Sequence, residues 1–158
     1  MGTGARSHLP RARRLIAVDT NILVYAHRED SPFYAAAARC IAELAEGAAP
    51  WSIPWPCLHE FLAIVTHPRV YTPPTTHAAA FNQIEAWMES PSLVLLAETD
   101  GYWTALRSVI AASQVSGARI HDARIVALCC HHGVRELWSA DRDFGRFKDL
   151  SVVNPLVR

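Results

Sequence analysis

The chain has 158 residues, 51% of them hydrophobic and 19% charged, with 15 basic against 15 acidic side chains. That length fits one domain, which buries roughly 70% of its unfolded surface and is too apolar to stay disordered. Zero net charge argues against a nucleic-acid coat held by bulk positive charge, and no apolar run approaches the roughly 18 residues needed to span a bilayer.

Residues 1–14 hold Arg6, Arg11, Arg13 and Arg14 and no acid. They read as a basic, disordered leader, without the apolar stretch of a signal peptide. One domain over 15–158 follows, with 11 basic against 15 acidic residues. The run Leu15-Ile16-Ala17-Val18 is short, β-rich and unalternating, which predicts a strand buried on both faces. Thr20 or Asn21 is placed to cap a helix over 22–27. Asp30, Ser31 and Pro32 start a second helix, over 32–46, that stops at Gly47.

A short strand is predicted at 51–53 and a helix at 57–66, broken by His67-Pro68. A helix over 76–89 leads to a second doubly buried strand at 93–96. Helices over 102–114 and 121–132 follow, the latter ending at Gly133, a C-cap position. Strands at 136–139 and 151–153 complete the set. Strands alternating with helices imply an α/β domain with a parallel sheet. Cys40, Cys57, Cys129 and Cys130 sit in apolar helical contexts, as small thiols of a reducing, cytoplasmic compartment. The run Cys129-Cys130-His131-His132 lacks the spacing of a zinc site.

Ligands of open α/β sheets bind outside the carboxyl ends of the strands. Asp19 ends the first strand, and Asp141 and Asp143 follow the strand at 136–139. A helix-cap or turn role accounts equally well for Asp19 alone. Glu60 shares a helix stripe with Ala63 and Ile64, and Asp122 one with Ile125, Val126 and Cys129. Carboxylates on an apolar face need a partner. Arg119 or Arg124 is spaced to pair Asp122 as a plain salt bridge. Several inward carboxylates otherwise repel and raise one another's pKa. A divalent cation relieves that, and oxygen-only ligation selects Mg²⁺ or Mn²⁺.

Four strings carry a family likeness: Ala17-Val18-Asp19-Thr20-Asn21-Ile22-Leu23-Val24-Tyr25, His59-Glu60-Phe61, His121-Asp122-Ala123, and Trp138-Ser139-Ala140-Asp141-Arg142-Asp143-Phe144. In order and spacing the chain resembles PIN-domain ribonuclease toxins of the VapC type, over about residues 15–153. Ser139 stands where that family often has Thr; both supply a hydroxyl. The resemblance implies a PIN-like three-layer α/β/α domain with a central, mostly parallel sheet, an acidic pocket for Mg²⁺ or Mn²⁺, endoribonuclease activity, a homodimer and a VapB-type antitoxin. It implies Asp19, Glu60, Asp122 and Asp141 as the acidic quartet and Asp143 as a fifth acid, with Thr20, Asn21 and Ser139 as polar supports.

RNA contact then comes from local charge, for which Arg124, Arg142 and Arg146 are candidates. Trp87 and Trp103 read as core, while Trp51 and Trp55, beside prolines, are candidate stacking platforms. His121 is expected at the surface or behind the ligands. The helix over 32–46, with its Ala35–Ala38 run, is a candidate wall for the antitoxin or a close helix contact within the fold. An aspartyl phosphohydrolase needs a second Asp where Asn21 stands. The remaining alternative is a catalytically silent PIN-like binding module.

Overall fold

A computed structural model describes residues 15–157, so the proposed leader lies outside the described residues. The elements run β1 (Ile16–Val18), α1 (Thr20–His27), α2 (Tyr34–Glu46), β2 (Trp51–Pro54), α3 (Trp55–Val65), α4 (His77–Met88) and β3 (Leu93–Leu96). Then come α5 (Tyr102–Ser113), a 3-10 turn (Gly117–Arg119), α6 (Ile120–His131), β4 (Glu136–Trp138), a second 3-10 turn (Arg142–Arg146) and β5 (Ser151–Val153).

The five strands form one sheet in the order β3-β2-β1-β4-β5, parallel throughout. Helix α1 packs on α2 and α3, α3 packs on α4, and α5 packs on α6. The sheet is thus the middle of a three-layer α/β/α domain. Ala17, Val18, Ile53 and Leu137 are fully buried at its centre, as expected of parallel strands covered on both faces.

Three local expectations change. Helix α1 begins at Thr20, and its N-cap is Asp19, in extended conformation (φ −80°, ψ 162°). The Thr20 and Asn21 side chains turn to other partners instead of capping. Strand β3 is an edge strand, with Val94 44% exposed, and is not doubly buried. Its unalternating apolar run resembles that of a central strand, but it has a neighbour on only one side. Helix α2 starts at Tyr34, after a turn in which the Ser31 hydroxyl accepts the Phe33 N–H. Within α2, Ala37 is wholly buried and Ala35 exposed, so part of the alanine run packs inside the fold.

Elsewhere local chemistry sets the ends as expected. Thr76 Oγ1 accepts the Ala79 N–H at 3.1 Å and caps α4. Gly133 follows α6 at φ +74°, a backbone region that L side chains rarely adopt.

Candidate active site

The site is built at the carboxyl edge of β1 and β4. The Asp19 N–H donates to the Trp138 carbonyl at 3.0 Å, which ties the ends of the two strands together. This pairing carries the Asp19 side chain inside, where it is 4% exposed. Ser139, one residue past β4, is 2% exposed and donates its hydroxyl to Asp19 Oδ2 at 2.7 Å.

The Ser139 oxygen accepts Asn21 Nδ2 at 3.2 Å and the Asp141 N–H at 3.0 Å. With both lone pairs engaged, its proton is committed to Asp19. Asn21 closes the network: Nδ2 also reaches Asp19 Oδ2 at 3.3 Å, and Oδ1 accepts the Ala140 N–H at 3.1 Å. Three residues predicted as carboxylate and supports are therefore one hydrogen-bonded unit. Thr20 supports a different acid, donating to Glu60 Oε2 at 2.8 Å.

Burial pushes the Asp19 carboxyl up to about 6; the nearby Glu60 charge adds to this, and hydrogen bonds from Ser139 and Cys57 oppose it. Cys57 was not among the expected site residues. It is wholly buried on α3, with Sγ 3.6 Å from Asp19 Oδ1. Burial raises that thiol well above its ordinary range, so it stays protonated and donates to the carboxylate. Its spacing three residues before Glu60 was the signal available in the sequence.

Glu60 is half-buried, at the flank of α3. The buried stripe of that helix is Cys57, Leu58, Phe61 and Val65, while Ala63 is exposed. The apolar-face expectation for Glu60 is corrected accordingly. Asp122 lies in the first turn of α6 and is also half-buried. Burial raises its pKa first, the negative charge of Asp141 adds to this, and Arg119 opposes it.

Asp141 is the N-cap of the second 3-10 turn, its Oδ1 accepting the Asp143 N–H at 2.8 Å. It serves as a turn Asp and stands beside the other acids. Asp143 is exposed and paired to Arg119 Nη1 at 2.8 Å, while the same nitrogen is 3.8 Å from Asp122 Oδ2. The salt bridge expected for Asp122 is thus the longer of two, and Arg119 belongs mainly to Asp143.

A hollow of about 300 Å³ opens beside this edge, lined in part by Ser139, Asp141, Arg142 and Asn154. A larger one, of about 560 Å³, lies between α5 and residues 133–135, away from the acids. Of the three candidate arginines, Arg142 reaches the first hollow. Arg146 lines a separate depression with Val109 and Ser113. Arg124 is half-buried, and its Nε and the Tyr102 hydroxyl are buried without a hydrogen-bond partner among the described residues.

Trp51 is not a stacking platform. It is fully buried at the amino end of β2, with Nε1 donating to Ser90 Oγ at 3.0 Å. Trp103, expected in the core, is 67% exposed; Trp55 is 37% exposed and Trp87 is buried. His121 is exposed. His131 and His132 bond to Thr99 Oγ1 and the Ala97 carbonyl, each at 2.7 Å.

Among the described residues, no three His, Cys, Asp or Glu side chains converge as a ready-made metal cluster. The donor chemistry nonetheless fits a hard divalent cation. No cation pairs with Asp19 among the described residues, and the charges of Asp141, Asp143 and Glu60 add to burial in raising the pKa of Asp122.

A parallel α/β/α fold with an acidic carboxyl edge defines a class, and the comparisons agree: residues 16–150 match the PIN domain, and the chain belongs to that family. It is similar to Ribonuclease VapC43 of Mycobacterium tuberculosis, 33% identical over 142 residues, covering 90% of this chain and 96% of that protein. Ribonuclease VapC48 of the same organism is 31% identical over 137 residues, covering 87% and 94%.

Solved structures share the fold. Mycobacterium tuberculosis VapC20, a sarcin-ricin-loop-cleaving toxin, superposes with a TM-score of 0.61 at 16% identity, over 87% of this chain and 98% of that one. A chain of VapBC2 from Rickettsia felis, bound to a promoter DNA fragment, gives 0.60 at 14% identity, over 88% and 97%. No described helix is long and apolar enough to cross a membrane.

Proposed function

We propose that the protein is the toxin of a type II toxin–antitoxin pair, an endoribonuclease that hydrolyses RNA phosphodiester bonds with Mg²⁺ or Mn²⁺ in the acidic cleft. The carrying observation is the buried Asp19 carboxylate, held by Ser139, Asn21 and Cys57 without a cationic partner among the described residues. Likeness to VapC ribonucleases over most of the chain supports the activity. A relative solved as the VapBC pair supports a VapB-type antitoxin as partner. The reading includes a homodimer in the cytoplasm.

Asp19, Asp122 and Asp141 would hold the ion, with Asp143 at its rim. Once bound, such an ion supplies an acidified water and charge stabilisation at the phosphate. The residues of this chain do the rest. Ser139 and Asn21 fix the Asp19 carboxylate, and Thr20 orients Glu60. Glu60, near enough to Asp19 and Asp122 to bear on their charge, would accept a proton of the attacking water. Arg142, exposed beside Asp141, is placed to grip a backbone phosphate.

Induced expression in the host tests this reading. Growth should stop, sequencing of RNA ends should show new defined cuts, and co-expression of a small upstream reading frame should restore growth. Asp122→Asn should fold yet be harmless. A folded, well-expressed wild-type chain that leaves RNA ends unchanged would favour the silent binding module.

A further inference from the structure

We propose that Arg119 is the resident counter-ion of the acidic cleft, and that a divalent cation binds there in competition with it. This rests on the metal-site reading above and adds to it the group that the ion must displace. The 3-10 turn Gly117–Arg119 places Arg119 at the N-cap of α6, one turn before Asp122. From there its guanidinium crosses to the loop after β4. It pairs with Asp143 at 2.8 Å, stands 3.8 Å from Asp122, and lies close enough to Asp141 to feel its charge. One side chain thus neutralises the rim acids of a cleft whose deepest carboxylate, Asp19, it does not touch.

A guanidinium stays charged throughout the working pH range, so Arg119 leaves these carboxylates only by moving. Its side chain is 36% exposed, and Asp143 is 53% exposed, so both are free to part. An exposed pair of this kind is worth little and is screened by salt. A divalent ion, with twice the charge and oxygen ligands of its own choosing, outcompetes it. Arg119 therefore holds the acids together while the ion is away, and sets how much ion is needed to fill the cleft.

Mn²⁺ titration of the purified full-length protein, read by calorimetry or by the free-ion electron paramagnetic resonance signal, tests this alongside melting of the metal-free forms. For Arg119→Gln, the Mn²⁺ Kd should fall about two- to fivefold, and the metal-free Tm should drop because the acids then repel unopposed. Arg119→Lys keeps the charge and should stay near wild type in both. An unchanged or higher Kd in Arg119→Gln, with wild type binding Mn²⁺ normally, overturns the competition and leaves the metal site standing. If wild type binds no Mn²⁺ and cleaves RNA in excess chelator, the metal-site reading falls, and this proposal with it.

Discussion

The two edges of the sheet settle their buried polar groups in opposite ways. At the amino edge, Trp51 Nε1 donates to Ser90 Oγ at 3.0 Å, and that hydroxyl donates to the Ala45 carbonyl at 2.9 Å. Each group is neutral and each has a nearby partner, so the edge is closed. At the carboxyl edge the buried group is Asp19, with two side-chain donors at Oδ2 and a thiol at Oδ1. Hydrogen bonds fix its position but no cation among the described residues compensates its charge, and burial holds its pKa near 6. A fold spends stability in this way where a ligand of opposite charge is to bind. Polarity at the amino edge serves folding; at the carboxyl edge it serves the site.

The largest effect that would break this contrast is on catalysis. Asp19→Asn should lower RNA cleavage at least about a thousandfold, roughly 4 kcal/mol of barrier, while circular dichroism stays native. Cleavage kept within tenfold would mean that Asp19 is only a helix cap. At the other edge, Trp51→Ala should cost about 3–5 kcal/mol of stability in urea unfolding. Its Mn²⁺ Kd, measured where the variant is still folded, should match wild type. A Kd raised tenfold would show that the edges are not independent.

A smaller effect sharpens the electrostatic half. The folded Asp19 carboxyl titrates near 6, above its unfolded value of 3.8. Below the lower value both states are protonated and Asp19 adds no pH-dependent penalty. As pH rises from about 4 to 6 the unfolded chain ionises first, and folding loses stability. Above 6 the full penalty is present, about 3 kcal/mol for that shift. Metal-free Asp19→Asn should therefore be more stable than wild type at pH 7.5, with the gap closing towards pH 4. A gap that stays constant with pH would contradict the burial effect.

The smallest expected change is at Ser139. Ser139→Ala leaves the Asp141 N–H without its acceptor and removes a donor to Asp19, which should cost about 1–3 kcal/mol. Ser139→Thr should recover most of it. Equal losses in both variants would point to packing at this position, with the hydroxyl unimportant.

Much of this was legible in the chain itself. The alternation of apolar runs with helical stripes implied the parallel layered fold, and the strings around Asp19 and Asp141 marked the carboxyl edge. The family resemblance supplied Asn21 and Ser139 as supports, and both lie next to a strand end that places them. Contacts that depend on a turn could not be read from the chain. Arg119 meets Asp143 across 24 positions because Gly117 takes φ +60° and starts the 3-10 turn before α6. A helical-spacing argument offered only Asp122. Glu60 sits at the flank of the buried stripe because Ala63 is exposed and Ile64 only half-buried, and a small residue such as alanine marks a core stripe weakly. Trp51, beside prolines, read as a candidate stacking platform, yet it is fully buried in β2 with its indole N–H held by Ser90.

The central claim is that the charge left open at Asp19 is closed by a divalent ion used in RNA cleavage. Purified protein should be incubated with a defined RNA in Mg²⁺ or Mn²⁺, in excess EDTA, and in EDTA followed by excess Mn²⁺, with Asp19→Ala in parallel. The account predicts cleavage with either ion, none in EDTA, full recovery on Mn²⁺ addition, and none by the variant. Undiminished cleavage in EDTA, with Asp19→Ala equally active, would contradict it.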